Sequence, residues 1–214
     1  MMVVLGIIGT ITSIALFGQQ NFNRSLLLTD TAYTVALSSR EAQALGLSSR
    51  RFVGGGQDVQ NAGYGLNFNY SLPSQYILFA DTRSIQTPLS TCPRGKSGTP
   101  EAKLGNCIYD GSGVSVDGIV QTFSFNRGFK IYDVCGIQTS TGNLVCARTN
   151  AITGIDVVFV RPNTETVITA RTSSGSYIAL NNAKIYIQSQ DGTTQRGVCF
   201  SGVGQVSVSP GTCP

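Results

Sequence analysis

Residues 1–24 read MMVVLGIIGTITSIALFGQQNFNR, and Arg24 is the first charged side chain. From Met1 to Phe17 the run is almost wholly apolar, interrupted only by Gly6, Gly9, Thr10, Thr12 and Ser13. A secretory signal carries basic residues ahead of its apolar core and a small-x-small cleavage site; nothing basic precedes this run. As a membrane span it sits at the short end of the usual range of about 17 to 25 residues. The residues behind it decide the reading. Leu26, Tyr33, Leu37 and Ala44 recur at intervals of 7, 4 and 7, which places them on one helical face, with Arg24, Asp30, Arg40 and Glu41 largely off it. The pattern predicts one helix of about 45 residues, on the order of 70 Å long. It ends near Gly46, ahead of Ser48-Ser49-Arg50-Arg51 and the triple glycine at 54–56. Its first half is apolar on every side and calls for lipid or other helices; its second half calls for one packed face.

Past Gly56 the period changes to that of strands. Gly65–Tyr70 alternates apolar and polar residues, and Tyr76–Ala80 is a continuous apolar run suited to a strand buried on both faces. Strands are also expected over 114–125, 129–137, 144–149, 155–160, 167–171, 177–180, 185–187, 198–200 and 206–208. Thr141-Gly142-Asn143, Ser173-Ser174-Gly175 and Asp191-Gly192 mark turns. About ten short strands so spaced make a sheet or sandwich. Residues 81–113, with Pro88, Pro93 and Pro100, read as a long loop. The division expected is 1–50 for the helix (1–23 apolar, 24–50 amphipathic) and 51–214 for a β-rich head.

Of 214 residues only 12% are charged while 25 are glycine, and the net charge of +4 includes no basic run longer than Arg50-Arg51. Low charge and much glycine suit β-structure with many turns, and the scattered basic residues read as solvated surface. The six cysteines, Cys92, Cys107, Cys135, Cys146, Cys199 and Cys213, contain no C-x-x-C pair, which argues against a zinc knuckle or a thioredoxin-like centre. Their even number in a β-rich chain behind an apolar segment suggests an oxidising compartment. Spacing favours sequence neighbours: Cys92–Cys107, Cys135–Cys146 and Cys199–Cys213.

Histidine is absent, so neither a Ser-His-Asp nor a Cys-His arrangement is available, and no imidazole can hold a metal. Gly95-Lys96-Ser97 resembles the end of a phosphate-binding loop, but Ser90 stands where the motif needs glycine, and prolines flank it. Asp110, Ser112 and Asp117 offer oxygens for Ca²⁺ without the required ladder of spacings, and read as a turn. Tyr64, Tyr70 and Tyr76 read as half-buried sheet aromatics. No enzyme activity and no cofactor are expected.

An apolar half-helix running into an amphipathic half and then a disulfide-bearing β head resembles the type IV pilin-like proteins. MMVVLGIIGTITSIAL is similar to the family pattern LMIVIAIIGILAAIA, with Gly9 at the family glycine. LLLTDTAYTVALSSREAQALGLSSR, Gly63-Tyr64-Gly65-Leu66 with Tyr76–Asp81, and Val198–Ser201 with Gly204 resemble the GspH/FimT branch of minor pilins and pseudopilins. The likeness is strong over residues 1–50 and moderate beyond. It implies an α+β pilin fold, a long N-terminal helix packed on an antiparallel sheet. It implies a structural subunit of a type IV pilus or type II secretion pseudopilus, in homo- or hetero-oligomers with similar subunits. An assembly platform and an ATPase would serve it. Val3, Val4, Leu5, Ile7, Ile8, Gly9, Ile11, Ile14 and Leu16 would form the filament core. The chain would be a single-pass protein of the inner membrane before assembly, and a surface or periplasmic filament after it.

Two departures stand out. In the family a basic leader, a Gly–Phe cleavage site and a glutamate precede the apolar run, and the residues given start just past all three. That glutamate would neutralise a neighbouring subunit's N-terminal amine. Second, some members of the branch resemble DNA-uptake receptors with a G-R-x-R motif. Gly204-Gln205-Val206-Ser207 stands there, without either arginine. Each lost phosphate contact removes a counterion-release contribution. Arg171 and Arg196 remain as candidates for weak nucleic-acid contacts, within an alternative reading as a filament-tip module that binds DNA or surfaces.

Overall fold

The computed structural model describes residues 2–48, 51–54, 57–59, 62–82, 92, 105–111, 117–161, 165–211 and 213. Within the helix it describes the side chains of residues 3, 4, 6–9 and 12 and those from 22 onward. Gly95-Lys96-Ser97, Ser112, the three loop prolines and most of the expected 81–113 loop lie outside the described residues. So do the side chains of Leu5, Ile11, Ile14 and Leu16.

Among the described residues one α-helix, α1 (Met2–Leu47), precedes twelve strands. β1 (Phe52–Gly54) and β2 (Gln57–Val59) form a small hairpin. The others are β3 (Gly63–Asn69), β4 (Gln75–Asp81), β5 (Gly118–Ser124), β6 (Lys130–Gln138), β7 (Leu144–Cys146), β8 (Ile152–Phe159), β9 (Thr166–Thr172), β10 (Tyr177–Gln188), β11 (Gln195–Ser201) and β12 (Val206–Ser209). These ten make one antiparallel sheet whose continuous path runs β12-β11-β10-β9-β8-β3-β4-β5, with β6 and β7 branching from β10.

The α+β pilin class expected from the sequence is corrected by this architecture. The chain is mostly antiparallel β, its eight-strand path curved into a half-barrel. The physical reason is that the curved sheet supplies most of its own core. Leu66, Phe68, Leu78, Ile155, Val157, Ile168, Ala183, Ile185 and Val198 all lie in the main cluster, to which, among the described residues, the helix adds Leu28, Ala32, Val35 and Ala42 as buried members.

The long strand β10 makes the curve. Its first residues pair with β9, Tyr177↔Arg171 to Leu180↔Ile168. Leu180 also pairs with Gln138 of β6, so β6 holds the opposite edge. After an irregularity between Leu180 and Asn182 the edge that faced β9 passes to β11, Asn182↔Ser201 to Gln188↔Gln195. A bulge bends and twists its strand, and here it lets one strand serve two diverging parts of the sheet.

Turn chemistry follows the sequence closely. Gly142 (φ 71°) and Gly175 (φ 86°) take the left-handed backbone that the β6–β7 and β9–β10 hairpins need, a conformation open to glycine at little steric cost. β4 is buried on both faces: Tyr76 and Leu78 join the main cluster, while Ile77 and Phe79 join a second one with Val158, Val160 and Val167.

The helix face is not the expected one. Leu26, Tyr33 and Leu37 are 52%, 55% and 66% exposed, and Ala44 is exposed as well. The buried stripe is Leu28, Ala32, Val35, Ser39, Ala42 and Gly46. Four of these six are small or polar, so hydropathy does not mark them. They are small because the helix backbone lies close to the sheet: a Cβ on Gly46 would collide with the Phe159 carbonyl oxygen.

Candidate functional site

The surface singled out by the sequence is the first half of α1. Val3, Val4, Ile7 and Ile8 are 75%, 59%, 54% and 55% exposed, and Phe22 is 64% exposed. Gly6 and Gly9 are exposed between them. Thr12 Oγ1 donates to the Ile8 carbonyl at 2.7 Å, so its hydroxyl is satisfied within the helix and an apolar neighbour meets no open donor there. Farther along, the helix is fastened to the head. Arg24 Nη1 lies 2.8 Å from Asp191 Oδ2, and Leu28 opens the buried stripe. Phe22, Leu26, Tyr33 and Leu37 then continue an apolar line along the outward face of the helix. Among the described residues no helix is long and apolar enough to cross a membrane; most side chains of the span expected over residues 1–23 lie outside the described residues.

All three expected disulfides are present: Cys92–Cys107, Cys135–Cys146 and Cys199–Cys213. The second joins directly paired residues of β6 and β7, and the third ties the C-terminal segment to β11. Asp133 lies beside the sulfurs of Cys135 and Cys146, but those sulfurs are joined to each other and offer no thiolate to a metal.

The two arginines do not come together. Arg196 on β11 faces the helix: its Nε donates to Thr29 Oγ1 at 3.0 Å and its Nη2 to Ser25 Oγ at 2.9 Å, while Nη1 donates to the Gln195 carbonyl. It is thus a tie between helix and sheet. Arg171 is exposed on β9, at a polar cavity of about 300 Å³ that also includes Asn67, Asp110, Asp156 and Tyr177.

The sequence reading of Asp110 and Asp117 as turn residues leaves out two acids that the fold brings to them. Asp81 closes β4 and accepts from the backbone N–H groups of Asn106 and Cys107, both at 2.9 Å. Asp117 accepts from the N–H groups of Thr82 and Asp110 at 3.1 and 2.7 Å. Asp156 accepts from Asn67 Nδ2 at 2.7 Å and from the Tyr109 N–H at 3.2 Å. Three buried carboxylates therefore hold the backbone of the 105–111 segment against the sheet. Burial pushes Asp156 up to about 7, and burial together with the neighbouring Asp81 charge raises Asp117. The signal in the sequence was a charge inside an apolar strand, as in Ile155-Asp156-Val157 and Phe79-Ala80-Asp81; such groups are seldom buried without partners.

Tyr76 is buried against Phe123, ring centroids 4.8 Å apart and nearly parallel, with its hydroxyl 2.9 Å from Ser38 Oγ. Burial raises it to about 12, so it stays a neutral part of the helix–sheet packing. Comparisons of the chain with protein-family models, with curated proteins and with solved structures find no match in any of the three.

Proposed function

We propose that this chain is a structural subunit of a filament of the type IV pilus or type II secretion pseudopilus kind, assembling through the first half of its N-terminal helix. The observation that carries the reading is the exposure of Val3, Val4, Ile8 and Phe22 on a helix whose second half is fastened to the head. Apolar side chains so exposed along one element mark an interaction surface. Helices from neighbouring copies would bury them, and Gly6 and Gly9 permit close approach of helix backbones. Three disulfides favour an oxidising compartment, the periplasm or the cell surface. The head would then face outward, and the filament would be driven by an assembly platform and an ATPase carried on other chains.

The test is self-association of the full chain. Wild type is expected to form filaments visible by electron microscopy and to appear in the fraction sheared from cells, while Ile8→Asp stays in small species. Buried among helices, an uncompensated carboxylate is costly. A wild-type chain that is monomeric without detergent and missing from the sheared fraction would sink the reading.

A further inference from the structure

The side of α1 that carries Leu27 borders an apolar trough. Its far wall is the β5–β6 connection, where a turn over 126–129 is closed by the Phe129 N–H donating to the Asn126 carbonyl at 3.2 Å. Two adjoining cavities of about 250 and 440 Å³ share Leu27, Arg127 and Phe129 and run beside the helix from Arg24 to Thr34. The floor is Leu27, Tyr76, Phe123, Phe125 and Phe129. Phe123 and Phe125 are only half-buried, and the Tyr76 ring packs on both. On the helix wall Thr31 and Thr34 donate to the Leu27 and Asp30 carbonyls at 2.8 and 3.0 Å, so an apolar neighbour strands no hydroxyl there. The charges of the trough balance: Arg24 is held by Asp191 at 2.8 Å, and Asp30 and Arg127 stand on opposite walls.

Resting on the reading of the chain as a filament subunit, we infer that this trough receives the first half of α1 from a second copy, with Val4, Ile7 and Ile8 laid into it. These three stand at i, i+3 and i+4, the spacing by which a helix anchors in a groove, and each is more than half exposed. Residues 1–23 carry no charge, which matches a trough whose charges cancel. A nucleic acid or an anionic surface needs an excess of cations that this balance denies. The two surfaces cannot meet within one copy. Both lie on one continuous helix, whose rise from residue 8 to residue 27 holds them about 29 Å apart. Contact between different patches of successive copies is heterologous, and where it does not close into a ring it extends into a filament.

The experiment is photo-crosslinking of the full chain carrying Asn126→p-benzoylphenylalanine, on the rim of the trough so that the aromatic floor is kept. Irradiation is expected to give a covalent dimer, and trypsin should release position 126 joined to peptide 1–24, since Arg24 is the first basic residue. Phe125→Glu places a carboxylate in the trough and should raise the concentration needed for self-association, read by sedimentation, at least tenfold. Val203→Glu should leave it unchanged, because Val203 is 72% exposed in the β11–β12 turn, at the opposite end of β11 from the trough. Melting temperature checks that each variant keeps the fold, and the crosslink decides alone where Phe125→Glu does not. A wild type that self-associates while position 126 joins another peptide, or none, overturns the docking and leaves the filament reading standing. So does a folded Phe125→Glu that associates as wild type does. A wild type that stays monomeric overturns both.

Discussion

Asp156 is a residue whose ionisation the fold opposes. Its carboxyl titrates near 4 in the unfolded chain and at about 7 in the folded one, because burial disfavours the charge. A raised folded-state value means the folded chain holds the proton more tightly. Stability from this group is therefore full below about pH 4, declines as pH rises to about 7 and is flat beyond. Asp117 shifts in the same direction and extends the decline to higher pH. The exposed Asp191 is lowered, chiefly by its hydrogen bond from Ser189, so its contribution is present at neutral pH and is lost on acidification below about 4. Melting temperature measured against pH should fall between 4 and 7, and Asp156→Asn should flatten that slope. An unchanged slope would show that Asp156 is ionised throughout. At Gly46, alanine would gain up to about 1 kcal/mol of helix propensity but would press its Cβ on the Phe159 carbonyl. Overpacking of this kind costs about 1–3 kcal/mol, so urea denaturation of Gly46→Ala should show a net loss.

At the scale of elements, the two faces of α1 make opposite predictions. Tyr33→Lys and Leu37→Lys lie on the outward face and should change stability by no more than about 0.5 kcal/mol. Ala32→Lys, on the buried stripe, should cost about 3 kcal/mol or more, since it forces an unpaired charge into the core. Equal effects at 32 and 37 would contradict the packing described. Arg196→Ala removes two side-chain hydrogen bonds from β11 to the helix. Hydrogen bonds from a charged donor contribute about 1.5–3 kcal/mol each, so a loss of about 3–6 kcal/mol is expected in the same assay. These effects explain why the helix was half legible. Its existence and its C-terminal end follow from the local sequence, whereas its buried side does not. Leu26, Tyr33 and Leu37 carry the hydropathy signal and point outward, while Ala32, Ser39, Ala42 and Gly46 carry almost none and pack against strands distant in sequence. The strands read more faithfully: the apolar run Tyr76–Ala80 marks a strand buried on both faces, and the Ser173-Ser174-Gly175 and Thr141-Gly142-Asn143 turns fall where expected.

For the whole molecule, the disulfides and the forked sheet set the response to reducing agent. The bridges span sequence separations of 15, 11 and 14 residues, and on the chain-entropy account closing a loop of this size contributes about 3 kcal/mol. Full reduction should lower the melting temperature steeply, at about 2–4 °C for each kcal/mol lost. A shift of only a few degrees would mean that the strand pairings alone carry the head. The residues given determine a great deal by local physics. They set a helix by apolar periodicity, strands by alternation, turns by glycine, three disulfides by spacing, and the absence of imidazole chemistry by composition. Tertiary structure alone decided that the fold is mostly β with a half-barrel sheet, that β10 serves two parts of it, and that three distant acids converge on residues 105–111. It also decided which side of the helix is buried. The division has one physical cause: periodicity and turn propensity act within a few residues, whereas curvature, close approach and burial of charge depend on contacts between segments far apart in the chain.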